Sequence, residues 1–139
     1  MCKNKEFKEP RPGQDWPNLK FKIEGRKYIR GFHVANQNGI CAYCGDAFSD
    51  TKTKQATLEH IVPQTYGGPD SINNTIAVCY RCNQDRDSFP LKFHQVVGIL
   101  VARGFDGLPA VMGSYMLYLK IRLSVFTRHI QMFSIMNFG

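Results

Sequence analysis

Apolar and polar positions change their period several times along this 139-residue chain. Tyr28, Ile29, Phe32 and Val34 recur at loose helical spacing and predict a helix over "EGRKYIRGFHVANQ", residues 24–37. Asn38-Gly39 then marks a turn. Two short β-favouring runs follow, 57–62 and 75–78, the first stopped by Pro63. Between them "QTYGGPDSINN" is rich in turn formers, and "CYRCNQDRD" opens a short helix. Residues 91–103 predict another helix, with Phe93, Val96, Val97 and Leu100 on one side and Gly104 as its stop.

The last segment, 109–138, alternates like a strand between Leu117 and Val125, but a longer window decides otherwise. Met112, Met116, Leu119, Leu123, Phe126, Ile130 and Phe133 step by four and three, a helical pattern held for about six turns. Pro109 suits its first turn. This apolar face is expected to be intramolecular core, with a homodimer seam through the C-terminal helix as the second reading.

Residues 1–20 hold three prolines with charges between them, which predicts an irregular arm anchored by Trp16. The expected organisation is a basic arm over 1–22, a core over 23–90, and a helical extension over 91–139 that packs on the core. At 43% hydrophobic the chain can build a modest core, which a structural metal would strengthen considerably.

Charge adds a partner class. The net charge is +7, and residues 1–30 hold nine Lys/Arg against four Asp/Glu, so they supply +5 of it. That favours a polyanion such as nucleic acid, although a solvated terminus has the same composition. No secretory signal is visible, and the charge-free apolar run 107–119 is too short to span a bilayer. A reducing, cytoplasmic compartment without membrane association is expected.

The cysteines are more specific. Cys41 and Cys44 form one C-x-x-C pair, Cys79 and Cys82 another, with 34 residues between the pairs. Two intervening residues let each pair chelate one ion without strain, and four thiolates close a tetrahedral zinc site with no position left for substrate. Such an ion is structural, and its binding energy is largely folding energy. Cys2 is read as a free thiol.

Between the pairs lies "TLEHIVPQTYGG", whose Glu59-His60 places a carboxylate beside an imidazole. The ordered set "CAYCG", "TLEHIVPQTYGG" and "NTIAVCYRCNQDR", over roughly residues 40–87, resembles the HNH endonuclease family in its zinc-binding form. The resemblance implies an α+β fold: a small ββα-metal (His-Me finger) core with a structural zinc held by four cysteines, flanked by helices. It also implies a catalytic divalent ion and phosphodiester hydrolysis. By position, His60 resembles the general base, Glu59 and Asn83 its two metal ligands, and Asn74 the residue that holds the loop and the catalytic histidine. Arg86 matches a basic residue after the second knuckle. The chain departs from the pattern in having Glu59 where Asp or His is more common and Asn83 where His often stands.

Elementary chemistry asks for the same residue types. Neutral imidazole suits deprotonation of water near neutral pH, provided a partner fixes its tautomer. That partner is expected on Nδ1–H, a backbone carbonyl or an Asn, leaving Nε2 toward the water. One carboxylate and one amide make a hard, incomplete oxygen site that suits Mg²⁺ or Mn²⁺ better than zinc. Strand alternation would send Glu59 and His60 to opposite faces, so one shared site requires the strand to end or bend there.

The expected function is therefore an endonuclease hydrolysing DNA by a one-metal mechanism. Its substrate is expected to be double-stranded and read with little sequence specificity. Arg81, Arg86, Lys52 and Lys54 around the site, and Arg30 and His33 upstream, are the expected DNA contacts. The rival readings are a non-catalytic zinc module that only binds nucleic acid, and a nuclease directed at RNA or acting as a toxin.

Overall fold

The computed structural model describes residues 19–138, with side chains described for 24–132. Cys2, Trp16 and most of the predicted arm lie outside those residues. Six elements carry the fold: α1 (Leu19–Asn36), β1 (Ala56–His60), β2 (Thr75–Cys79), α2 (Tyr80–Arg86), α3 (Phe93–Arg103) and α4 (Leu108–Phe138). The architecture is α+β, a two-stranded antiparallel sheet with helices around it. The β1–β2–α2 unit carries a cysteine cluster at one end and forms a small ββα core.

The strands pair with Ala56 opposite Cys79 and His60 opposite Thr75. All five residues of β2 are buried, whereas β1 is only half-buried. This explains why "TIAVC" does not alternate: helices cover both faces of β2, so neither face selects polar side chains. α1 lies against both strands through Ile29, His33 and Gln37, buried residues spaced four apart and so aligned on one helix face. Gln37 also closes the open edge of β2. Its Nε2 donates to Ala77 O at 2.8 Å and its Oε1 accepts from Ala77 N–H at 3.0 Å, supplying the bonds that a third strand would make.

The apolar core gathers Tyr43, Ile61, Ile76, Val78, Leu91, Ile99 and Val111, with Cys41 and Cys79 at its edge. α3 reaches the first knuckle at Gly98. A Cβ there would sit 1.8 Å from Ala42 O, so any side chain would push the knuckle off the helix.

The C-terminal helix corrects one expectation. Val111 and Ser114 are buried and Tyr115 Oη donates to Leu91 O at 2.6 Å, so its first turns dock on the body. Beyond them Met116, Leu119, Leu123, Phe126 and Ile130 are each more than half exposed, not core. The reason is length. At about 1.5 Å per residue, the helix runs well past a body whose sheet strands are five residues long. The helical run Phe93–Met132 also contains one window long and apolar enough to cross a membrane by length and composition alone. The sequence reading stopped at the first charge, Lys120.

Candidate functional site

The cysteine cluster is assembled from two local turns. An isolated bridge between Ile40 and Ala47 closes the first knuckle, and Gly45 N–H donates to Cys41 O at 3.0 Å inside it. Cys79 ends β2 and Cys82 stands in the first turn of α2. The four Sγ atoms all lie within 4.8 Å of one another. Cys41 and Cys79 are buried, and Cys79 N–H donates to Cys41 Sγ at 3.2 Å. Burial and then the neighbouring sulfurs push the Cys82 thiol far above its ordinary value. Four thiols so crowded lack the positive charge that would let them ionise together, and one soft divalent ion bound among them would supply it. The donor set fits an ion such as zinc.

At the other end of β1 the side chains of Glu59 and His60 diverge, as alternation requires. Thr57 and Glu59 face α2. Asn83 Nδ2 donates to Thr57 Oγ1 at 3.0 Å and to Leu58 O at 3.2 Å, while Arg86, one turn on, meets Glu59. No hydrogen bond among the described residues reaches Asn83 Oδ1. Glu59 Oε1 accepts from Arg86 Nη1 at 2.8 Å, with 4% of the Glu59 side chain and 1% of Arg86 exposed. Glu59 Oε2 is buried with no hydrogen-bond partner. Burial pushes this carboxyl up to about 7, against the opposing pull of the Arg86 guanidinium.

Glu59 Oε2 is an orphaned carboxylate oxygen and Asn83 Oδ1 an amide oxygen on the facing helix, donor types that suit a hard divalent ion. The site nonetheless departs from the expected one, because the helix residue over Glu59 is Arg86 rather than Asn83. Arg86 also donates to Phe89 O at 2.8 Å, His60 O at 2.7 Å and Ile61 O at 2.9 Å. It is an internal clamp on the end of β1, and its expected role as a DNA contact is incorrect: a buried guanidinium that already serves four protein acceptors is not available to a phosphate.

His60 faces α1 and the loop that follows β1. Its Nε2 lies 2.6 Å from Asp70 Oδ1, and 12% of the His60 side chain remains exposed. Burial pushes the Asp70 carboxyl up, but the hydrogen bond with His60 and the nearby Arg26 guanidinium outweigh it and hold its pKa below the usual value. An ionised carboxylate can only accept, so Nε2 carries the proton. This reverses the expected geometry, in which Nε2 faced the water. Nδ1 is then the basic nitrogen of the neutral ring.

Asn74 binds the loop at both ends. Its Oδ1 accepts from Val62 N–H at 2.9 Å, and its Nδ2 donates to Val62 O and Pro69 O at 3.1 Å each. Gly68 permits this: a Cβ there would lie 1.7 Å from Val62 O. Asn74 is buried and works through the backbone of 62–69.

The remaining expected contacts divide. Arg81 and Lys52 are exposed, and Arg30 is half-buried. Lys54 pairs with Asp46 and lies 4.0 Å from Cys44 Sγ. His33 is fully buried against β2, so its expected contact with substrate is incorrect. Its Nε2 meets Thr75 Oγ1 at 2.9 Å, because helical spacing turns position 33 to the sheet together with Ile29 and Gln37.

Sequence reasoning missed Asp70 and read Arg26 only as one of an upstream basic set, not as its partner. The only signal for Asp70 was an acid inside "GGPD", where turn formation explains it equally well. Arg26 Nε lies 3.2 Å from both Asp70 oxygens across 44 residues, a pairing that no local pattern announces.

Residues 41–89 match the family model described as HNH endonuclease. The chain is also 38% identical over 58 residues to the CRISPR-associated endonuclease Cas9 of Corynebacterium diphtheriae. That alignment covers 41% of this chain and 5% of that protein.

Proposed function

We propose that the chain, whose residues 41–89 match the HNH endonuclease family model, is a metal-dependent endonuclease that hydrolyses DNA phosphodiester bonds. One observation carries the reading. At the end of β1, an imidazole held by a carboxylate stands next in sequence to a buried carboxylate whose second oxygen is unsatisfied.

In this mechanism His60 is the general base. Its Nδ1 takes a proton from water, the water oxygen bonds to phosphorus, and the bond from phosphorus to the 3′-oxygen breaks. The leaving oxygen takes its proton from solvent, giving 5′-phosphate and 3′-hydroxyl ends. Glu59 and Asn83 are the residues that would hold Mg²⁺ or Mn²⁺, through Glu59 Oε2 and Asn83 Oδ1. That ion would supply charge stabilisation at the phosphate and the leaving oxygen. Arg86 keeps Glu59 in place and offsets part of its charge, so affinity for the ion without DNA is expected to be weak. Asn74 keeps the loop closed behind His60. The cysteine cluster would hold zinc as a structural ion. Arg81 and Lys52 stand exposed for the phosphate backbone, which fits binding with little sequence preference.

The test is conversion of supercoiled plasmid to open circles with Mg²⁺, Mn²⁺ or EDTA. Nicking is expected only with the divalent ions, and His60→Ala is expected to lower it by about 10²–10⁴-fold. A His60→Ala protein as fast as wild type would remove the assignment of the base.

The Glu59–Arg86 pair favours a second reading, a zinc module that binds nucleic acid without cutting it, because the carboxylate already has a protein counter-ion. That reading predicts salt-sensitive DNA binding and no divalent-dependent nicking.

A further inference from the structure

Asp70 stands ten residues beyond His60, in a loop drawn back onto β1 by Asn74 and Gly68. Its carboxylate is more heavily engaged than loop closure requires. Oδ1 meets His60 Nε2 at 2.6 Å and Gln64 Nε2 at 3.3 Å, and both oxygens meet Arg26 Nε at 3.2 Å. Its side chain is 7% exposed, so it is placed to act on its neighbours rather than on a bound molecule.

We propose that Asp70 is a positioning residue for His60: it holds the imidazole as the Nε2–H tautomer and fixes its ring, so that Nδ1 is the nitrogen presented for proton transfer, while Arg26 holds Asp70 from α1. Two acceptors at 2.6 Å repel, so a proton must lie between them, and a carboxylate supplies none. The anchoring is also tertiary on both sides. Asp70 is tied through Arg26 to a helix that the loop does not otherwise need, so the ring is set by three segments of chain and not by the strand alone. An imidazole held in this way keeps one tautomer through the reaction, and an imidazolium formed by proton uptake at Nδ1 keeps the carboxylate as its counter-charge.

The catalytic consequence rests on the nuclease reading, whereas the hydrogen bond does not, and the experiment separates them. In the purified full chain without added divalent ion, proton NMR should show a downfield, slowly exchanging His60 Nε2–H resonance, lost in Asp70→Ala and in His60→Ala. In plasmid nicking, Asp70→Ala should lower kcat about ten- to a hundredfold with KM for DNA changed less than about twofold. If Asp70→Ala does not fold, Asp70→Asn keeps the volume and an oxygen that can accept from Arg26 and His60 but loses the counter-charge for the imidazolium, and a smaller loss of kcat is expected. Absence of the resonance in folded wild type, or its persistence in Asp70→Ala, overturns the hydrogen bond. Unchanged kcat in a folded Asp70 variant overturns the positioning role. A wild type that shows the resonance but cuts nothing with either ion overturns the nuclease reading and the catalytic consequence, and leaves the orienting bond established.

Discussion

The β1–β2–α2 unit carries two candidate ion sites, one at each end, and they differ in how their charge is met. At the cysteine end, four sulfurs converge within 4.8 Å, and Lys54 Nζ, which stands 4.0 Å from Cys44 Sγ, is already paired with Asp46. The cluster therefore has the donors for an external ion and, among the described residues, no cation of its own to balance four thiolates. At the Glu59 end, Arg86 already supplies a positive charge at 2.8 Å, buried with its partner, and one oxygen is left over. The first arrangement suits permanent metal that is part of folding; the second suits an ion taken up weakly beside a protein counter-charge. A buried guanidinium makes the folded unit possible without the second ion.

The largest expected effect is at the cysteine end. Cys79→Ser removes a buried ligand, and because zinc binding to such sites is worth about 10–16 kcal/mol and is coupled to folding, the variant should lose its metal and much of its cooperative melting. Elemental analysis with circular dichroism reads both. Full zinc occupancy with an unchanged melting curve would erase the distinction between the two ends.

Arg86 tests the other end. Arg86→Met leaves Glu59 buried without its counter-ion, a loss of about 3–5 kcal/mol in urea denaturation. If Glu59 Oε2 belongs to an ion site, millimolar Mn²⁺ should recover part of that loss, by about 2.7 kcal/mol at a hundred times the dissociation constant. Recovery should vanish in the double variant with Glu59→Gln. Equal stability with Mn²⁺ and with EDTA would show that the two ends do not differ in the proposed way.

His33 extends the comparison to a buried group with no counter-ion at all. Thr75 Oγ1 donates to Ser71 O at 2.7 Å, so its hydrogen is used and His33 Nε2–H must donate to it. That leaves His33 Nδ1 buried and unpaired. Burial, with Arg103 nearby, lowers the His33 pKa from 6.5 to about 4. Below about pH 6.5 the unfolded chain takes up a proton at His33 that the folded chain refuses, so the His33 contribution to stability falls as pH drops toward 4 and is level above 6.5. The full loss is about 3 kcal/mol at roughly 1.4 kcal/mol per unit. Urea midpoints between pH 7.5 and 4.5 should show the slope in wild type and a smaller one in His33→Gln. Equal slopes would place the acid sensitivity elsewhere.

How much was legible can be seen residue by residue. The C-x-x-C pairs were readable because chelation by each pair is local, and the short strands because β-favouring runs end at marked turns. α2 was readable because its start is tied to the second knuckle. Asn74 could be carried over by position because its bonds stay within its own loop. Two of the errors share one feature: each concerned a side chain whose partner lies far along the chain. Arg86 looked like a surface base and is a buried clamp on Glu59, 27 residues away. His33 looked like a polar residue in a basic helix and lies under β2, 42 residues away. The apolar face of α4 looked like core, but periodicity reports that a face exists and says nothing of whether the body reaches it.

The sequence by itself determined the paired spacing of the cysteines, the order of the elements and the alternation that divides Glu59 from His60, since these follow from spacing along one chain. Only the tertiary structure decided which nitrogen of His60 holds the proton, which cation meets Glu59, and how much of α4 is covered. Those outcomes depend on which distant groups share a buried volume, where an unpaired charge or donor is costly and the nearest available partner takes the bond.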